Sequence, residues 1–244
     1  MTEKATDAIA PYPEDFDPTR AEEILERIRH VPAVSERLNI VSGQFLGSPY
    51  IVHPLVGSAD TPEVFTISLT GFDCVTYVET VLALALSDTV PQFIDTVRHL
   101  RYQGGRVGWR TRNHYMIDWI AHNVRQGFIV NLSEGRGTVN KTRVLSTIPD
   151  LPSRSVTFRC FRKRAFPRIE DRIADGDVIF FVSTRKTLDV FHTGLLFRGR
   201  GGLILRHASR RHGGVVEQPL ETFLQQHSMS GFILVRPRKP SRGE

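Results

Sequence analysis

Between residues 176 and 237 the chain carries five short apolar runs: GDVIFFVS, FHTGLLFRG, GGLILRHAS, GGVVEQ and GFILVRP. Most are separated by glycine-rich turns, and each is rich in Val, Ile, Leu and Phe. They read as successive strands of a mainly antiparallel sheet. The sequence ahead of them reads as helix. DPTRAEEILERIRHV offers Asp17 as an N-cap, Pro18 at the first helical position, and Leu25, Ile28 and Val31 as an apolar stripe. A second helix, at about 73–86, is apolar on nearly every side, as a core helix is. Further helices are expected at about 90–102 and 113–126. Helices first and strands after define an α+β class.

The remaining bulk properties narrow the options. A chain of 244 residues with 40% hydrophobic composition can bury a full core. Its longest apolar run, Val81–Leu86, is far too short to cross a bilayer, so no membrane insertion is expected. The first twenty residues show no basic stretch followed by an apolar one. The expected location is therefore the cytoplasm, with the periplasm as the alternative. The formal charge of +6 favours an anionic partner. Positive charge gathers at 101–125 and at 154–168, either as solvated faces or as binding surfaces. Cys74 and Cys160 are the two cysteines, too few and too far apart for a disulfide framework, and no Cys-x-x-Cys pair suggests structural zinc. Residues 1–17 read as a loose lead-in, 18–236 as one catalytic unit, and 237–244 as a charged tail.

Cys74 stands in the first turn of the second helix, behind Thr70 and Asp73. Unpaired backbone N–H groups and the positive end of the helix dipole meet there and favour a thiolate. Such settings bring a cysteine from ~8.5 down to roughly 3.5–7.5. An inert, buried cysteine is the competing reading. A nucleophile needs a base, and the base needs a partner that holds it. His192 lies on a strand with Gly194 beside it. His207 follows after a glycine-rich turn, where it can sit beside His192 on the same face. Cys-His-His is a candidate catalytic set. The same three ligand types would also suit zinc, although no metal or other cofactor is expected.

These residues carry a resemblance. FLGSPY, FDCVTYVE, GDVIFFV, HTGLLF, RHAS and GGV follow one another as in the NlpC-type superfamily of papain-fold cysteine peptidases acting on bacterial cell wall. Within it, FDCVTYVETVLAL, RNHYMIDWI and HTGLLF resemble the N-acetylmuramoyl-L-alanine amidase-like family over about residues 20–236. The resemblance implies a papain-like fold with Cys74 as nucleophile at the start of the central helix, His192 as base and His207 as the orienting group. It places Tyr50 near the nucleophile and Asp73 along the cleft. Thr76 and Ser209 join the expected substrate contacts.

Compared with compact members, residues 88–170 are extra, and are expected to form a helical, basic insertion beside the cleft. In it, Arg110 or Arg112 is expected to clamp substrate carboxylates, with Trp109 and Tyr115 stacking on sugar and His114 as a further contact. The implied reaction is hydrolysis of the amide between N-acetylmuramic acid, in anhydro form, and L-alanine. The implied partners are peptidoglycan fragments, with no nucleic acid. Two rivals remain open: an endopeptidase cutting between D-glutamate and the diamino acid, and a basic glycan- or nucleic-acid-binding module. Oligomeric state is not legible.

Overall fold

The computed structural model describes residues 16–240. The expected lead-in up to residue 15 and the last four residues of the tail lie outside the described residues. Helix α1 (Pro18–Ile28) begins as the sequence suggests, with the Asp17 carboxylate accepting from the Thr19 N–H at 2.9 Å. It buries Ala21, Ile24, Leu25 and Ile28 and stops there, so Val31 falls beyond the helix. Helix α2 (Val34–Gly43) follows and buries Leu38 and Val41.

Helix α3 (Cys74–Leu86) is closed at its start by a capping box in which Asp73 and Thr76 bond each other's backbone N–H groups. From Thr76 to Leu86 every residue is buried. Helix α4 (Val90–Arg101) packs against it, and an ion pair lies between the two. Glu79 and Arg101 meet at 2.8 Å with side chains only 2% and 3% exposed. The second Glu79 oxygen accepts from Trp119 Nε1 at 3.1 Å, which ties in α5 (Met116–Arg125). Burial pushes the Glu79 carboxyl up, against the pull of the Arg101 charge. Removing either partner would strand a buried charge, at a cost of about 3–5 kcal/mol.

The sheet contains β1 (Ile129–Asn131), β2 (Thr138–Leu145), β3 (Arg154–Phe161), β4 (Asp177–Val182) and β5 (Val190–Gly199). It continues with β6 (Gly202–Ser209), β7 (Gly214–Pro219) and β8 (Gly231–Pro237). Its order is β2-β3-β8-β4-β5-β6-β7, with β1 also on β8, and each described pairing is antiparallel. The last five strands fall on the five apolar runs. Two short helices, α6 (Phe166–Ile169) and α7 (Leu220–Gln226), cover one side.

One expectation needs correcting. The stretch 88–170 is not simply a helical insertion, since it contributes three strands. β2 and β3 pair along their whole length, from Thr138↔Phe161 to Leu145↔Arg154, and join the main sheet through Phe161↔Phe232. Their sequences, TVNKTRVL and RSVTFRCF, mix in polar and charged residues because much of this hairpin faces solvent. A search for apolar runs passes over such strands.

Side chains alternate between two cores. Val178, Phe180, Val182, Leu195 and Ala208 face the layer built on α3. Ile179, Phe181, Leu196 and Leu205 face α6 and α7, including Ile169 and Phe223. Among the described residues no helix is long and apolar enough to cross a membrane.

Candidate active site

The capping box fixes the start of α3. Asp73 Oδ1 accepts from the N–H groups of Val75 (3.0 Å) and Thr76 (2.8 Å). It also accepts from the Thr76 hydroxyl at 2.8 Å, while the Asp73 N–H donates back to that oxygen. Thr76 is therefore occupied within the cap and is only 6% exposed. Cys74, the next residue after the cap, keeps a partial opening to solvent. Its sulfur is approached by the N–H groups of Cys74, Val75 and Thr193.

The Thr193 contact brings the head of α3 to β5, immediately beside His192. There β5 is ahead of its ladder with β6, which runs from Leu195↔Arg206 to Gly199↔Gly202. His192 Nε2 lies 2.6 Å from His207 Nδ1, with the two rings edge-to-face at 4.8 Å. His207 Nε2 continues to the Gln218 carboxamide at 3.0 Å. Phe223 of α7 lies roughly parallel to the His192 ring at 5.4 Å, on the side of the sheet away from α3. Gly194 is required for this packing: a Cβ there would sit 2.8 Å from His207 Cβ.

The electrostatics differ from the expectation of a ready-made thiolate. Burial first, and the Asp73 carboxylate second, push the Cys74 thiol up to about 12, outweighing the N–H groups around it. Burial, helped by the neighbouring histidines, holds His192 well below the usual imidazole range. His207 is lowered to about 4, again chiefly by burial. The resting site thus pairs a neutral thiol with neutral imidazoles.

Tyr50 enters along an extended segment, with its N–H donating to Gly213 O at 2.8 Å and its backbone bridging to Phe72. Its hydroxyl rises to about 12, from burial first and then from Cys74 and Asp73, while Arg210 opposes the rise. Tyr50, Asp73, Cys74 and the exposed Arg210 therefore share one neighbourhood. Ser209, at the end of β6, is 5% exposed and bonds His212 Nδ1 at 2.9 Å.

Of the contacts expected from the 109–115 stretch, Arg112, His114 and Tyr115 are engaged elsewhere, whereas Arg110 is exposed. Arg112 pairs with Glu63 at 2.9 Å and lies 4.5 Å over the Trp109 ring. Glu63, whose side chain is 1% exposed, also accepts from the Tyr102 hydroxyl at 2.8 Å. His114 Nε2–H donates to Trp109 O at 2.7 Å, and burial lowers this imidazole. Tyr115 is 4% exposed, and its hydroxyl accepts from the N–H groups of Thr147 and Ile148. These side chains brace the local framework, since leaving their buried partners unsatisfied would be costly.

Arg210, Gln218 and Phe223 went unrecognised in the sequence. Arg210 directly follows the RHAS segment, a signal that was available. Gln218 gives no local signal, because strand pairing alone brings it to His207. Among the described residues no three His, Cys, Asp or Glu side chains form a metal-ligand group.

The architecture is that of an α+β protein in which a cysteine at the head of a buried helix meets an antiparallel sheet at Thr193, and the same sheet carries a bonded histidine pair. Over residues 40–232 the chain matches the AmiA-like family, described as N-acetylmuramoyl-L-alanine amidase-like, and it belongs to that family. A solved N-acetylmuramoyl-L-alanine amidase from Bacteroides uniformis is 28% identical, with a TM-score of 0.74 over 84% of this chain and 99% of that one. A Bacteroides fragilis protein provisionally called a xylanase is 26% identical, with a TM-score of 0.70 over 80% and 99%. Protein LPG0564 of Legionella pneumophila shares the fold, with 21% identity and a TM-score of 0.75 over 92% of this chain and 98% of that one. No curated protein matches the chain.

Proposed function

We propose that this protein is a cysteine amidase. It hydrolyses the amide between N-acetylmuramic acid, in anhydro form, and L-alanine in peptidoglycan fragments. The observation that carries the reading is the meeting of the Cys74 sulfur with the N–H of Thr193, the residue that directly follows His192, whose ring is bonded to His207. Family membership and the Bacteroides uniformis amidase support the choice of bond.

In this mechanism His192 Nδ1 takes the thiol proton as Cys74 attacks the lactyl carbonyl, forming the S–C bond. The Cys74 backbone N–H and the Tyr50 hydroxyl, kept protonated by its raised pKa, stabilise the oxyanion. His192 then gives the proton to the departing L-alanine nitrogen as the C–N bond breaks. Water attacks the thioester while His192 accepts its proton. The lactyl carboxylate leaves and the Cys74 thiol is restored. Arg210, at the rim beside Tyr50, suits a carboxylate of the peptide stem. Asp73 lines the cleft in its capping role. A papain-like arrangement of the NlpC type is consistent with this order of parts, and turnover of cell-wall fragments in the cytoplasm is the associated setting.

Glycoside cleavage, suggested by the Bacteroides fragilis protein's name, ordinarily asks for two carboxylates across the bond. Here Asp73 is the carboxylate acting on both Cys74 and Tyr50, and it is committed to the helix cap. The test is product mass spectrometry on a defined panel of muropeptides, with wild type and Cys74→Ala. A free stem peptide from wild type alone supports the amidase. A released dipeptide points to the endopeptidase, and equal turnover by both proteins ends the cysteine reading.

A further inference from the structure

His207 does not end the chain of hydrogen bonds. Its Nδ1 meets His192 Nε2 at 2.6 Å, and its Nε2 lies 3.0 Å from the carboxamide nitrogen of Gln218. A neutral imidazole has one N–H and one acceptor nitrogen, so one proton assignment propagates along the whole row. If the Gln218 NH2 donates to His207 Nε2, His207 holds its proton on Nδ1 and donates to His192 Nε2. His192 must then keep its own proton on Nδ1, the nitrogen that the proposed mechanism uses on the thiol, and has no lone pair there with which to accept.

Turning the amide by 180° about its last torsion exchanges nitrogen for oxygen in nearly the same shape. Every role then reverses. The oxygen accepts from His207 Nε2–H, His207 Nδ1 accepts from His192 Nε2–H, and His192 Nδ1 is free to take a proton.

We propose that Gln218 is a positioning residue: its amide oxygen accepts from His207 and so fixes the His192 tautomer that works as base. The proposal rests on the cysteine-hydrolase reading above. Strand register supports it. Leu205 stands opposite Gln218 and Val216 opposite His207, which makes Gln218 the diagonal neighbour of His207 on one face. The ring packed against both histidines, Phe223, offers no competing acceptor. An amide in this place sets the direction of the row without adding charge. The charged groups acting on the pair are other histidines, His212 and His227, and the nearby Glu217 is bonded to Arg206. His192 thus remains neutral at working pH.

The decisive comparison is Gln218→Glu, which only accepts, against Gln218→Lys, which only donates. Both are made in the full chain, assayed on a muropeptide and followed by long-range ¹⁵N NMR of the histidines. Gln218→Glu is expected to keep kcat within about threefold of wild type and to move the acid limb of the pH profile upward, because a carboxylate favours the imidazolium. Gln218→Lys is expected to lose roughly 30-fold or more in kcat with little change in KM. Wild-type spectra should show Nε2–H on both rings. Nδ1–H on His207, or equal loss of kcat in both variants, overturns the proposal. The NMR result does not depend on turnover. If Cys74→Ala stays active, the cysteine reading fails while the tautomers still decide the role of Gln218.

Discussion

The head of α3 and the 102–115 segment are both crowded with residue types able to do chemistry, yet they use them in opposite ways. At the head of α3, a tyrosine and an aspartate act on the partly exposed Cys74, and the Thr193 N–H ties that cysteine to the strand carrying the bonded His192–His207 pair. In the other region an arginine, a histidine and two tyrosines bond inward to Glu63, Trp109 O and the backbone at 147–148. The difference lies in what meets each polar atom. A side chain whose hydrogen bonds are satisfied by buried partners is a strut, whatever its type, and one aimed at a reactive neighbour is a candidate for chemistry.

The contrast breaks first at Cys74. Cys74→Ala should lower kcat by about a thousandfold or more while leaving the melting curve close to wild type. A fold-wide loss instead would make the cysteine a packing residue. His192→Ala should cost ~10²–10⁴ in kcat, read from initial rates on the same substrate.

Struts should behave otherwise. Glu79→Ala is expected to destabilise by about 3–5 kcal/mol in urea titration, since Arg101 would lose its buried partner. Arg112→Ala should cost about 1–3 kcal/mol of stability, through the stranded Glu63, with kcat/KM nearly unchanged in folded protein. A large KM effect there would return Arg112 to the ligands. Among the residues of the proposed mechanism the smallest effect is expected from Tyr50→Phe, about tenfold in kcat.

Two pH measurements sharpen the picture. With the thiol near 12, alkylation of Cys74 by iodoacetamide should keep accelerating past pH 9, whereas a plateau near 7 would indicate a preformed thiolate. The acid limb of kcat/KM should fall below pH 6.5, because His192 must be neutral to accept a proton and its pKa is depressed. In stability the same sign holds for His207. Its contribution is intact above about 6.5 and is lost as pH falls through its folded value of about 4. Asp189, raised to about 6 by burial, works the other way in that interval and should blunt the change.

Much of the fold was legible because its elements are locally consistent. The five glycine-punctuated runs became β4 to β8, and Asp17 and Asp73 cap the helices they precede. β2 and β3 were not legible, since an exposed hairpin has no need of apolar alternation. The His192–His207 pair could be anticipated from its spacing, but Gln218 depends on the register of a third strand. Whether Arg112 faced a ligand or Glu63 was beyond any local pattern, as the two lie 49 positions apart. The thiol's raised pKa was hidden for a related reason: the helix head is visible in sequence, while the protein packed around it is not.

The sulfur comes from the first half of the chain, and the imidazoles, with the strand that steadies them, come from the last quarter. In the proposed mechanism no working centre exists until the strands that carry His192, His207 and Gln218 have been made. Nascent chains that stop short of those strands are then expected to be inert, and the proposed amide-cutting activity to emerge only once the sheet is complete.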